Sequence, residues 1–216
     1  MNTLRIDFVS DVVCPWCAIG LASLERALQR TRGEVAADLH FQPFELNPQM
    51  PPEGESIAEH LQRKYGMSDM QLAENQERIR ARGAELGFVF DFNARSRIWN
   101  TFDAHRLLHW AGIEGKQLEL KQALLRAYFS EGGNVSDHAT LAAVAAGVGL
   151  DAERAQAILA SGEYAAEVRE AEQFFQRNGI SGVPAVIFER KHLVSGGQPV
   201  EVFERALREI AAAKVG

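Results

Sequence analysis

Cys14 and Cys17, the only cysteines of the chain, stand three positions apart in SDVVCPWCAIG, with Pro15 and Trp16 between them. The spacing admits three chemistries: half of a metal site, a redox pair, or two inert thiols. Pro15 narrows the choice, because its fixed φ and missing N–H suit the first position of a helix, which makes Cys14 the cap. Free backbone N–H groups and the positive end of the helix dipole favour a thiolate there. Cys17 falls almost one turn inside, near enough to pair with Cys14 but shielded. An exposed attacking thiol with a buried partner is the asymmetry that thiol–disulfide exchange uses. Cys14 is therefore the expected nucleophile and Cys17 the resolving thiol.

A zinc site would need further ligands, and His105 and His109 offer them at i and i+4 in AHRLLHW. Roughly ninety residues separate the two pairs, against about a dozen in a finger, and HRLLH lacks the glutamate of H-E-x-x-H. The histidines read instead as part of a core stripe with Ile98 and Phe102, and no metal is expected.

A second chemical signal lies in ISGVPAVIF, residues 180–188, where Pro184 stands at the mouth of an apolar strand and removes a ladder N–H. A cis Val183–Pro184 bond would give it a reason. It would leave the Val183 N–H and C=O free to pair with an extended peptide or glutathione beside the cysteines, although spacing alone leaves this open. Around these residues, Asp11, three before Cys14, either influences the thiol's proton or, as is expected, makes a capping or turn hydrogen bond, and Trp16 offers a contact surface for substrate if exposed and only packing if buried. Glu45 in PFELNP becomes a proton relay if it is buried beside Cys17, and otherwise is an ordinary surface carboxylate. Asn100, Thr101 and His105 are expected to face the cleft, His105 as a hydrogen-bonded, partly buried residue without a catalytic role.

The elements that must position these groups read clearly at both ends. Leu4, Ile6 and Phe8 alternate as a strand; Leu21, Leu24 and Leu28 form a helical stripe that stops near Gly33; LHFQPFEL (39–46) is a second strand. At the far end PAVIFE (184–189) and HLVSG (192–196) read as two strands. QPVEVFERALREIAAA follows as a helix with Pro199 in its first turn. The ends are thus β-α-β and β-β-α. Between them, residues 51–160 show helical periods in SIAEHLQRKY, MQLAENQERIRARGAEL, RIWNTFDAHRLLHWA, KQLELKQALLRAYF and DHATLAAVAAGV, with almost no strand signal. GEYAAEVREAEQFFQRNG is the long helix that leads back to the sheet. The expected organisation is an α/β domain from residues 1–50 and 161–216 around a helical insertion at 51–160.

Composition bounds the partners. The net charge is −6, with 46% hydrophobic residues, which argues against nucleic acid or an anionic membrane as a partner. No basic region with an apolar run opens the chain and no segment reaches the length of a membrane span, so a cytoplasmic location is expected. Reducing conditions there disfavour a purely structural disulfide.

SDVVCPWCAIG, the distant GVP and the long helical insertion together resemble the DsbA-like branch of the thioredoxin superfamily. FQPFELNP (41–48), NTFDAHRL (100–107) and SGGQPVEVFERAL (195–207) are similar to motifs of its cytoplasmic FrnE-like group. The resemblance spans essentially the whole chain. It implies a thioredoxin-like fold, Pro184 as a cis-proline, and disulfide oxidoreductase or isomerase activity on protein or small-molecule thiols. No cofactor is implied, and glutathione is a candidate redox partner. The alternative within the same branch is a glutathione-dependent enzyme of the kappa-class or 2-hydroxychromene-2-carboxylate isomerase type. Those enzymes typically carry serine where this chain has Cys14; Asn47, Val183, Ser195 and Gln198 would then line a glutathione groove. Direction of exchange and oligomeric state stay open.

Overall fold

The computed structural model describes residues 3–215 of the chain. Met1, Asn2 and Gly216, at the ends of the amino-terminal and closing-helix readings, lie outside the described residues. β1 (Thr3–Ser10) leads through a turn into α1 (Pro15–Arg30), and β2 (Ala36–Pro43) runs parallel to β1. Leu4, Ile6, Phe8 and Val9 of β1 are wholly buried, as suits a strand with neighbours on both edges. α1 buries Leu21 and Leu24, and the chain turns at Gly33 with φ 91°, a conformation cheap only for glycine. β2 begins and ends three residues earlier than the pattern predicts. Its ladder stops at Pro43, and the chain then bends so that the Leu46 N–H reaches the Asp11 carboxylate at 2.7 Å.

The middle of the chain holds β3 (Glu55–Ser56), α2 (Ile57–Tyr65), α3 (Asp69–Leu86), β4 (Arg97–Ile98), α4 (Phe102–Ile113), α5 (Gln117–Phe129), α6 (His138–Gly147) and α7 (Ala152–Ala160). Ser68 and Gln71 close a reciprocal capping box at the start of α3, which fixes where that helix begins. Two expectations need correction. β3 and β4 pair as a two-residue antiparallel ladder, so the segment is not purely helical. Because Ile98 lies in that ladder, it shares no helical face with Phe102 and His105; α4 starts only at Phe102, whose N–H is taken by the Asn100 side chain at 2.9 Å. α7 goes beyond the helices that periodicity predicts, and its local signal is Asp151, which accepts the Arg154 N–H at 2.8 Å.

α8 (Ala165–Arg177) returns the chain to β5 (Ala185–Phe188), β6 (His192–Ser195) and α9 (Val200–Val215), so Pro199 immediately precedes α9. The sheet order is β2-β1-β5-β6, with β5 antiparallel to both of its neighbours. Glu189 and Arg190 turn the β5–β6 hairpin in the left-handed region, at φ 52° and 57°, the geometry tight hairpins demand. α1 packs along α9, while α4, α5 and α8 pack on β2. One apolar cluster runs through both parts of the chain, from Phe8, Leu24 and Phe203 to Leu107, Leu124 and Tyr128. Each such side chain contributes about 1.5–3 kcal/mol on burial, against about 0–1 kcal/mol for a surface ion pair. This shared core therefore sets the position of the helical section over the cysteines.

Candidate active site

Cys14 is the N-cap of α1, in extended conformation, with Pro15 as the first helical residue. Its thiol donates to the Val183 carbonyl oxygen at 3.6 Å, and the Val183–Pro184 peptide bond is cis. Two glycines allow this loop to lie so near α1. A Cβ at Gly20 would stand 3.1 Å from Pro184 Cγ, and one at Gly197 would stand 2.8 Å from the Trp16 carbonyl oxygen. The Val183 C=O is thus occupied by the thiol, whereas its N–H has no acceptor among the described residues.

The expected exposure of Cys14 is not what the fold provides. Cys14 is 3% exposed and Cys17 wholly buried, because α2 and α3 roof the start of α1. What remains beside Cys14 is a cavity of about 360 Å³, walled by Cys14, Pro15, Trp16, Asn47 and Val183 on one side and by side chains of α2, α3 and β4 on the other. Trp16 is half-buried at this wall, with the Arg78 guanidinium 5.7 Å from its ring centroid. Asn47 accepts from Lys64 Nζ at 2.6 Å.

Behind Cys17 lies a closed polar cluster of Asp11, His105 and Lys121, all 3% exposed or less. Asp11 does not cap α1. Its side chain turns inward, accepting the Leu46 N–H with Oδ2 and facing His105 Nε2 at 3.4 Å with Oδ1. Among the described residues Lys121 Nζ has no hydrogen-bond partner, and it lies 6.0 Å from the Phe41 ring centroid. Burial opposes ionisation of Asp11, but His105, the Leu46 N–H and Lys121 outweigh it and hold the carboxyl below its usual range. Burial lowers the Lys121 ammonium, and Cys17 and Asp11 work against that shift. Burial also pushes the Cys17 thiol well up, reinforced by Cys14 and opposed by Lys121. Lys121 had a signal in the sequence: it holds position i of an apolar i, i+3, i+4, i+7 stripe with Leu124, Leu125 and Tyr128.

Glu45 is buried, with its ion-pair partner on α8 and a weaker electrostatic link to His105. Arg169 bridges Glu45 to Glu172, and the Glu45 backbone N–H donates to the Glu172 carboxylate at 3.1 Å. Burial, then the neighbouring Glu172, raise the Glu45 carboxyl. His109 packs on the Tyr164 ring at 5.1 Å between centroids, and no group of three or more His, Cys, Asp or Glu among the described residues is arranged to hold a metal ion. Asn100 donates to the Met50 carbonyl, and Gln198 to that of Ser195; none of Asn100, Thr101, Ser195 and Gln198 lines the cavity. Among the described residues no helix is long and apolar enough to cross a membrane.

The chain is similar to a probable DsbA oxidoreductase of Streptomyces coelicolor, at 36% identity over 98% of this chain and 91% of that one, with a TM-score of 0.90. Its fold is also that of a 2-hydroxychromene-2-carboxylate isomerase, at 15% identity, 98% of each chain and TM-score 0.73. A third structure, the cytosolic disulfide reductase DsbM of Pseudomonas aeruginosa with GSH, shares the fold at 18% identity, 98% of each chain and TM-score 0.63. Residues 5–208 match the DSBA-like thioredoxin domain; with its cysteine turn at the head of α1 and its sheet order β2-β1-β5-β6, the chain belongs to that family.

Proposed function

We propose that the protein is a thiol–disulfide oxidoreductase in which Cys14 is the nucleophile and Cys17 the resolving thiol. The observation that carries this is the placement of both thiols on the first turn of α1, with Cys14 against the backbone of the cis-proline loop. In the reducing direction, the Cys14 thiolate attacks one sulfur of a substrate disulfide and the other sulfur leaves as a thiolate. Cys17 then loses its proton and attacks Cys14 Sγ. The protein disulfide forms and the second substrate thiol departs, so two electrons and two protons pass from the protein to the substrate. The reverse sequence oxidises a dithiol.

The surroundings divide the labour in a way that supports this order. Burial, reinforced by Cys14, holds Cys17 protonated; once Cys14 is bonded to substrate its share of that hold is gone, and Lys121 favours the Cys17 thiolate as it forms. Val183 offers its N–H, and its C=O once Cys14 has reacted, as hydrogen-bonding groups to the substrate bonded at Cys14. Pro15 and Trp16 shape the approach to Cys14. No metal or tightly bound cofactor enters the scheme; glutathione serves as redox partner in a reducing, cytoplasmic compartment.

The enclosed position of Cys14 favours one second reading, a glutathione-dependent isomerase or transferase. Equilibration across glutathione buffers, with free thiols trapped by an alkylating mass tag, separates the two. A reversible two-electron transition that vanishes in Cys14→Ser is expected. Saturable glutathione binding with turnover that survives Cys17→Ser, and no such transition, would replace it by the second reading.

A further inference from the structure

The cavity beside Cys14 has a composition unlike the rest of the chain. The protein carries 29 Asp and Glu residues and a net charge of −6, yet none of these acids lines the cavity; its basic walls are Arg78, Arg95 and His60, set with Cys14 and Tyr65 among apolar and amide side chains. His60 is already paired, with Glu55 at 2.7 Å. Arg78 donates to Asn75 and covers Trp16. Arg95 is different. Its guanidinium is packed on Phe92, Tyr128 and Phe129 with ring centroids 4.8–5.1 Å away, and its buried Nε has no partner. Among the described residues no carboxylate stands within ion-pair distance of Arg78 or Arg95; other arginines without one, such as Arg26 and Arg97, donate to backbone carbonyls, which Arg95 does not.

Arg78 is exposed, but the half-buried Arg95 is partly withdrawn from water without a counter-charge, which is costly, and the planar fork of a guanidinium matches a carboxylate. The rest of the wall, including Ile57, Leu61, Leu72 and Ile79, asks for an apolar body. About 360 Å³ admits a small organic molecule but not a folded protein, and Cys14 is 3% exposed. Resting on the redox reading above, we infer that the substrate is a low-molecular-weight thiol or disulfide with an apolar body and a carboxylate, held by Arg95 and Arg78 while its sulfur meets Cys14. The exchange itself is the one already balanced: the Cys14 thiolate bonds to one substrate sulfur and the other leaves as a thiolate.

The test uses the full-length Cys17→Ser protein, which stops at the mixed disulfide. Its reaction rates are measured with 5,5′-dithiobis(2-nitrobenzoate), an aromatic disulfide with two carboxylates, and with the uncharged aromatic 4,4′-dithiodipyridine. Each rate is divided by that of 2-mercaptoethanol with the same disulfide, which removes intrinsic reactivity. The expected anionic-to-neutral ratio is tenfold or more above that of the free thiol. Arg95→Gln should lower it at least fivefold and Arg78→Gln by a smaller factor, while Arg95→Lys retains most of it. If Arg95→Gln does not fold, Arg78→Gln and Arg95→Lys carry the comparison. A ratio equal to that of the free thiol, or one that neither glutamine variant moves, overturns the inference and leaves the redox reading standing. Failure of Cys14 to react with either disulfide, together with no redox transition in the parent protein that keeps both cysteines, overturns both.

Discussion

The two cysteines are three residues apart and live in different media. Cys14 opens on a cavity whose charged walls are cationic and touches a backbone carbonyl; Cys17 is sealed in the core, with Asp11, His105 and Lys121 behind it. The difference follows from one turn of helix. The cap position faces the junction between α1, the cis-proline loop and the α2–α3 roof, whereas a residue almost one turn on faces the sheet and α5. Chemistry that needs one thiol to meet substrate and one to wait is therefore obtained by position on α1, without a separate residue to shield the second thiol.

Replacing each thiol is the strongest way to break this comparison. Cys14→Ser should reduce exchange with small disulfides by roughly a thousandfold or more, because a hydroxyl supplies no thiolate at neutral pH. Cys17→Ser should leave the first step nearly intact and accumulate the mixed disulfide, readable by intact mass. Equal loss in both variants would show that the thiols are not divided in role.

Lys121→Met sharpens the comparison from the buried side. A cation near both thiols stabilises the reduced, thiolate-bearing state, so its removal should lower the midpoint potential by roughly 30 mV, equivalent to about 1.4 kcal/mol for two electrons. Among the described residues Lys121 Nζ has no hydrogen-bond partner, yet it helps to hold the Asp11 carboxylate; the same change relieves a buried ammonium and weakens that hold, and should shift stability by no more than about 1–2 kcal/mol. Glutathione titration and urea unfolding measure the two quantities. A raised potential, or a loss of several kcal/mol, would mean that Lys121 holds the fold and does not tune the thiols.

Much of this was legible in the residues, and the exceptions share a cause. The cysteine turn, the strands at each end and the odd position of Pro184 are local signals, set by period and by backbone chemistry. Burial of Cys14 is not local, since it depends on how α2 and α3 pack over a helix far away in sequence. The same holds for Asp11, whose side chain has a choice between the helix it precedes and the Leu46 N–H on the far side of β1. Lys121 is the most instructive case. A lysine on an apolar stripe looks like a break in the pattern until the acid and thiols that face it are brought in by the β1–α1 turn.

The smallest effect compares the two buried acids, Asp11 behind Cys17 and Glu45 in the Glu–Arg–Glu cluster, whose carboxyls are shifted in opposite directions. Asp11 is held below the value it has in the unfolded chain. Its ionisation therefore adds stability at neutral pH, and this is lost as pH falls through the folded value, below about 4. Glu45 is raised, so its ionisation costs stability above its folded value, and the cost disappears on acidification below the ordinary glutamate range. Asp11→Asn should consequently be destabilising at pH 7, with the difference from the parent narrowing towards pH 3. Glu45→Gln should compare more favourably with the parent at pH 7 than at pH 4, and should move the redox midpoint far less than Lys121→Met, because Glu172 and Arg169 act on Glu45 most and His105, its link to the thiol cluster, least. Unfolding curves at three pH values and one redox titration per variant are sufficient. Parallel pH profiles for the two variants would mean that both acids answer to the same neighbours, and the separation between the thiol cluster and the Glu45 cluster would fall.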